Sequence, residues 1–131
     1  MNRLSARAVI LVLAVLVAIA TAGCGGSAGS AVQKVGAAKA VGMLDSRVVI
    51  DVRTPAEYGA GHIAGARNID VEAADFGSKI ASLDKTAPYL VYCHSGRRSG
   101  IAATQMASAG FTDIVDGGAI ADLVAAGAPT Q

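Results

Sequence analysis

Seven consecutive residues, Cys93-His94-Ser95-Gly96-Arg97-Arg98-Ser99, concentrate the reactive side chains of this 131-residue chain. They follow the apolar, aromatic run 89–92 and precede an Ala-rich stretch without proline, so the Cys93 thiol stands where a strand gives way to a helix. Unpaired N–H groups at a helix N-terminus, together with those of a tight loop, create a small concavity of positive potential. A thiolate is stabilised there, and so is a persulfide anion on the same cysteine, because both accept N–H donors. Gly96 permits the sharp turn, and Arg97 and Arg98 add positive charge that attracts an oxyanion donor. The chemistry this spacing points to is that of an activated sulfur nucleophile.

The chain holds two cysteines and two histidines, and their surroundings separate their roles. Arg3 and Arg7 precede an uncharged run, 8–22, with the form of the basic and apolar regions of a secretory signal. As a helix that run spans about 22 Å at about 1.5 Å per residue, short of a hydrocarbon core of about 30 Å. Thr21-Ala22-Gly23-Cys24 resembles the lipobox cut by signal peptidase II in bacterial lipoproteins, with Thr21 where those signals usually carry a large aliphatic residue. The expected organisation is a signal peptide over 1–23, a lipidated Cys24 opening a tether over 24–32 that contains Gly25, Gly26, Ser27, Gly29 and Ser30, and a folded domain over 33–131. The expected location is extracytoplasmic, held at the membrane by lipid. Cys93 is then the only thiol of the exported domain, which forbids an internal disulfide. Outside the cytoplasm such a thiol is open to oxidation, so it is either deeply buried or chemically used. His62 and His94 are too few and too far apart to build a zinc site with one cysteine, and neither a metal nor a cofactor is expected.

The elements that must position Cys93 are legible in the apolar periodicity. Val48, Val49, Ile50 and Val52 predict a buried strand over 48–52, closed by Thr54-Pro55 and preceded by a helical stretch near 36–44. Residues 66–69 predict a second strand, 75–83 an amphipathic helix, and 89–92 a third strand ending at Cys93. A helix over 98–109 stops at Gly110 in a left-handed C-terminal conformation. Residues 111–115 return to strand character, and 119–126 predict a last helix ended by Gly127 and Pro129. Strands alternating with helices imply a single α/β domain whose mostly parallel central sheet is flanked by helices on both faces. Functional loops of such domains sit at the carboxyl ends of the strands, where Cys93 falls.

Composition narrows the function classes. At 53% hydrophobic and 16% charged the chain is not intrinsically disordered, and its length leaves no room for two catalytic domains. A formal net charge of +1 gives no bulk attraction to nucleic acid, so no nucleic-acid partner is expected. Without Arg3 and Arg7 the remainder carries nine basic against ten acidic side chains. It can bury about 65% of the surface it exposes unfolded, enough for a core without metal or disulfide support.

Two motifs carry a family resemblance that covers nearly all of 33–131. Asp51-Val52-Arg53-Thr54-Pro55-Ala56-Glu57-Tyr58, followed by Gly61-His62-Ile63-Ala64-Gly65-Ala66 and Asn68-Ile69, resembles one signature of the rhodanese sulfurtransferases. Tyr92-Cys93-His94-Ser95-Gly96-Arg97-Arg98-Ser99 is similar to their active-site loop. The resemblance implies a single rhodanese-like domain in which Cys93 accepts sulfane sulfur from a donor such as thiosulfate and passes it, through a covalent persulfide, to cyanide or a thiol acceptor. It also implies a substrate- and persulfide-binding loop made of His94, Ser95, Gly96, Arg97, Arg98 and Ser99. Related phosphatases carry C-x5-R, which would require arginine at position 99; Ser99 stands there, and a loop fitted to sulfur lacks donors for a tetrahedral oxyanion. Gly117-Gly118 is followed by Ala119-Ile120-Ala121-Asp122-Leu123 rather than the usual aromatic helix, so Leu123 takes the aromatic slot. This short, Trp-free ending is similar to the small periplasmic phage-shock type. The rival readings are a sulfur-relay or partner-binding module with negligible turnover, and a redox-sensing lipoprotein.

Several of these side chains have plainer roles to set against the functional ones. Asp51 and Arg53 read as a structural pair fixing the loop architecture, and His62 as a structural turn residue. His94 reads as a solvent-facing loop residue, since a formed thiolate needs no proton acceptor. Cationic side chains are locally unfavourable at a helix N-terminus, which favours a purpose for Arg97 and Arg98, with Arg98 the better placed to close the loop. Ser99 either caps the helix or donates to sulfur, with capping the default.

Overall fold

The computed structural model describes residues 30–131, so the expected export signal, Cys24 and most of the tether lie outside the described residues. Short β-branched and aromatic runs form five strands, β1 (Val32–Lys34), β2 (Val48–Asp51), β3 (Arg67–Asn68), β4 (Tyr89–Cys93) and β5 (Ile114–Ala119). They make one sheet in the order β1-β5-β4-β2-β3, with every neighbouring pair parallel. The intervening helices are α1 (Ala37–Val41), α2 (Pro55–Gly59), α3 (Phe76–Ala81), α4 (Arg97–Ser108) and α5 (Ile120–Ala125), with a 3-10 turn at Leu44–Ser46.

All five residues of the central strand β4 are buried, as a parallel sheet covered on both sides requires. Side chains alternate across a strand, so Tyr89, Val91 and Cys93 enter one apolar layer while Leu90 and Tyr92 enter the other. The first layer is filled by Phe76 and Ile80 of α3, Ala102, Ala103 and Met106 of α4, and Phe111. The second is filled by Ala40 of α1, Leu123 of α5, Ile63 and Val115. The expected single α/β domain with a parallel sheet between two helical layers is the fold the chain adopts. The polypeptide leaving β4 turns to α4 on one face and that leaving β5 turns to α5 on the other, which opens a crevice at the carboxyl ends of these two strands.

The element boundaries depart from the sequence pattern in three informative places. Val32–Lys34 pairs with Ile114, Val115 and Asp116 as an edge strand, although residue 32 was expected in the tether. Three residues are too short a run for periodicity to register. Pro55 opens α2 rather than merely closing β2: Thr54 and Glu57 form a reciprocal capping box and Pro55 takes the first turn, where its missing N–H costs nothing. The last strand runs over Ile114–Ala119 instead of 111–115. Phe111 is part of the turn out of α4, its N–H donating to the Met106 carbonyl, while the strand continues through Gly117 and Gly118. The register against β4 shifts between Val91 and Tyr92, so that Tyr92 pairs with Gly118, a bulge that glycine accommodates.

Candidate active site

Cys93 is the last residue of β4, and its side chain enters the layer under α3 and α4 with no accessible surface. The N–H of Gly96 donates to Cys93 Sγ at 3.0 Å. Gly96 is also the N-cap of the 12-residue helix α4, so the sulfur meets the positive end of the longest helix described. Aiming that amide back at the sulfur requires a left-handed turn, and Gly96 has φ +90°. A Cβ at this position would also lie 3.5 Å from the Gly118 Cα, so the loop after β4 and the loop after β5 touch backbone to backbone.

The remaining loop residues divide sharply. Arg98, expected to present its charge to an oxyanion, donates instead to both carboxylate oxygens of Glu57 at 2.8 Å each, and to Glu72 at 3.4 Å. The pair holds the Glu57 carboxyl down at about 2 through the guanidinium hydrogen bonds, and raises Arg98 in turn. Arg98 therefore ties α4 to α2 with its charge already matched. Arg97 is exposed, as are His94 and Ser95. Ser99 departs from both of its expected roles. Its buried hydroxyl sits 2.7 Å from Asp116 Oδ1 and 3.0 Å from the Gly96 carbonyl, neither capping the helix nor donating to sulfur. Asp116 also accepts the Gly118 N–H at 3.0 Å, so one buried carboxylate of β5 holds the undersides of both loops.

Behind the loop, Arg53 makes a bidentate pair with Asp51, with Nη2 to Oδ2 at 2.6 Å and Nε to Oδ1 at 3.0 Å, and also donates to the Gly61 carbonyl at 2.7 Å. The Tyr92 hydroxyl donates to Asp51 at 2.8 Å and accepts the Ile63 N–H at 3.0 Å. Burial pushes the Tyr92 phenol up, so it stays a donor. Asn68 completes the corner by donating to the backbone carbonyls of Asp51 and Arg53. His62 stacks on Tyr58 with ring centres 3.7 Å apart, and its Nδ1 lies 3.0 Å from the Tyr58 carbonyl, which can only accept a hydrogen bond. Leu123 is fully buried beside Ile63 and Tyr92. Asp51, Arg53 and His62 thus lie in the scaffold behind β4, while Cys93 and Gly96 form the sulfur site itself.

Four side chains around the loop have no role assigned from the sequence: Lys34, Glu72 and Asp116, and Glu57, which stands only as a letter of the first motif. Glu57 had a signal, since Thr54-x-x-Glu57 is a capping-box spacing. Asp116 stands directly before Gly117-Gly118 and reads as part of a turn. Lys34 and Glu72 carry no local signal, because only the folded chain brings them to the loop.

The family model for the rhodanese-like domain matches residues 24–119. The thiosulfate sulfurtransferase GlpE of Pseudomonas putida strain F1 is 44% identical over 77 residues, which cover 56% of this chain and 67% of that protein. GlpE of Pseudomonas fluorescens is 45% identical over 74 residues, covering 54% and 65%. The chain spans about two thirds of the length of these relatives. Among solved structures, a rhodanese-like domain from Anabaena superposes with a TM-score of 0.66 at 28% identity, covering 76% of each chain. A rhodanese-related protein from Thermoplasma volcanium gives 0.66 at 28%, covering 76% of this chain and 97% of that one. A rhodanese with anions from E. coli gives 0.56 at 32%, covering 65% and 96%. With its sulfur loop, its parallel sheet and these matches in agreement, the chain belongs to the rhodanese-like family and is a transferase of the rhodanese type.

Proposed function

We propose that this protein is a thiosulfate-type sulfurtransferase with Cys93 as its nucleophile. The Cys93 thiolate attacks the sulfane sulfur of thiosulfate, the sulfur–sulfur bond of the donor breaks, and sulfite leaves with the electron pair. The resulting persulfide is attacked at its terminal sulfur by cyanide or a thiol, which departs as thiocyanate or as a new persulfide and returns the Cys93 thiolate. One observation carries this reading: the Gly96 N–H, at the head of α4, points at Cys93 Sγ from 3.0 Å. The thiosulfate sulfurtransferases of Pseudomonas that the chain resembles support the choice of donor. Since Cys93 has no accessible surface, donor entry requires the loop between β4 and α4 to move. The export reading completes the proposal: residues 1–23 direct the chain out of the cytoplasm and lipid on Cys24 holds it at the membrane, as a small envelope enzyme akin to the phage-shock type.

Mass spectrometry of the mature chain before and after thiosulfate tests both parts. The expected result is an N-terminal lipid on Cys24 and a gain of one sulfur atom on Cys93. Cys93→Ala should gain no sulfur and form no thiocyanate from thiosulfate and cyanide; unchanged activity in that variant rejects Cys93 as nucleophile. The buried thiol also favours a second reading, a relay module whose persulfide forms slowly and transfers only to a specific protein thiol. Slow charging together with no transfer to cyanide or small thiols would select it.

A further inference from the structure

Apart from tyrosine and cysteine, four polar side chains are buried among the described residues: Asp51, Arg53, Ser99 and Asp116. Asp51 and Arg53 neutralise each other in one ion pair. Asp116 is 4% exposed, and no salt bridge among the described residues reaches it. An acidic group buried without a cation costs stability unless donors and dipoles stand in for water. One of its oxygens accepts from Ser99 Oγ at 2.7 Å and from the Gly118 N–H at 3.0 Å. The other lies under the first turn of α4, where a Cβ added to Gly100 would be 3.6 Å away, at the positive end of the helix.

Both hydrogen bonds converge on Gly96, whose N–H reaches Cys93 Sγ at 3.0 Å. Ser99 Oγ lies 3.0 Å from the Gly96 carbonyl and so steadies the peptide that follows Gly96. Gly118 backs its open side, since a Cβ on Gly96 would lie 3.5 Å from the Gly118 Cα. Asp116 is itself held fast, because its backbone pairs with Lys34 of β1 and with Val91 of β4. The register shift after Val91 then brings the Gly118 N–H back onto the Asp116 carboxylate. Gly96 needs such support: at φ +90° a glycine has no side chain to restrict its turn, and its amide is aimed only by what surrounds it. A donor serves a reaction best when it is held in place beforehand.

We propose that Asp116 and Ser99 are positioning residues for sulfur uptake. Through Gly96 and Gly118 they keep the Gly96 amide on Cys93 Sγ while the thiolate attacks the sulfane sulfur of thiosulfate, the donor's sulfur–sulfur bond breaks, and sulfite leaves with the electron pair. Neither residue touches the donor, because Ser99 has no accessible surface and Asp116 is buried beneath the loop. The assignment rests on Cys93 being the nucleophile.

The test is single-turnover charging of the full chain over a range of thiosulfate concentrations, followed by mass. It yields the limiting rate, the half-saturating concentration and the fraction of chains that gain sulfur. Ser99→Ala and Asp116→Ala should each lower the limiting rate about tenfold, as expected when an oriented group is let loose, with the half-saturating concentration unchanged. Asp116→Asn keeps an oxygen that accepts both hydrogen bonds, and should restore most of the rate. The double alanine variant should be no slower than the slower single one, because both substitutions break one network. A purely structural role would instead lower the fraction of competent chains and leave the rate of those that charge unchanged. Parental limiting rates in both alanine variants, or Asp116→Asn as slow as Asp116→Ala, overturn the assignment while leaving Cys93 as nucleophile. Should Asp116→Ala fail to fold, Ser99→Ala decides: a slower limiting rate supports the assignment and a parental one overturns it. A parent chain that gains no sulfur overturns the nucleophile reading and this assignment with it.

Discussion

Glu57 and Arg98 are 41 positions apart and meet through two hydrogen bonds of 2.8 Å. The guanidinium lowers the Glu57 carboxyl from its ordinary 4.5 to about 2. A depressed carboxylate contributes stability that is complete above its unfolded value and is lost as the pH falls towards its folded one. The contribution of this pair should therefore persist above about pH 4.5 and fade between there and about pH 2. Glu57→Gln keeps the side-chain shape but removes the charge, and should cost about 1 kcal/mol at neutral pH, a modest value because the pair is partly solvated. Thermal melts of both proteins down to about pH 2.5 should show the gap between them closing with acid. A gap independent of pH would assign the loss to packing. The helix-capping half of Glu57's role was legible in four adjacent residues. Its reach across to the sulfur loop was not, because no local pattern records which guanidinium a carboxylate meets after folding.

The strand–loop–helix unit from β4 to α4 was the most legible element, since a buried apolar run, a glycine and an Ala-rich stretch each point to it independently. Its partner β5 lies at Ile114–Ala119, three to four residues beyond the 111–115 that the pattern predicts, because Asp116-Gly117-Gly118 signals a turn when taken alone and becomes strand only through pairing with Val91 and Tyr92. Those glycines serve the neighbouring loop. Gly118 leaves room for Gly96, and an added Cβ at Gly96 meets the Gly118 Cα at 3.5 Å in a backbone conformation that L side chains rarely adopt. Gly96→Ala should destabilise the fold by about 1–2 kcal/mol and slow persulfide formation at least about tenfold, by turning its amide away from Sγ. Denaturation curves and single-turnover charging check the two effects separately; a variant charged at the normal rate would show that this amide is dispensable. The burial of the thiol belongs to the same scale. The sequence left deep burial and chemical use as alternatives, whereas the fold places Cys93 in the core layer with a main-chain donor on its sulfur.

At the scale of the whole molecule, one polar network stitches the sheet to the segment beyond it. Tyr92 on β4 donates to Asp51 on β2 and accepts from Ile63, while Arg53 reaches from Asp51 to Gly61. Tyr92→Phe leaves the Ile63 N–H without its partner, and should cost about 1–3 kcal/mol with an unchanged denaturant slope. A loss of less than a few tenths would mean that another acceptor takes over. The Asp51 and Arg53 pairing was readable as two residues in a motif; its extension through Tyr92 was not, since a tyrosine in a buried strand reads simply as apolar bulk. The edge strand β1 has a consequence of its own. It holds β5 along only three residues, and the next residue to pair beyond it, Val35, still leans on Asp116 through a 3.3 Å hydrogen bond. Any mechanical tension transmitted from the residues preceding Ser30 must enter the domain through this strand, peeling it from the sheet margin before the interior yields. Lys34 would be the first charged group displaced, so a domain pulled from this end would lose that cation from the sheet margin while the sulfur pocket stayed closed.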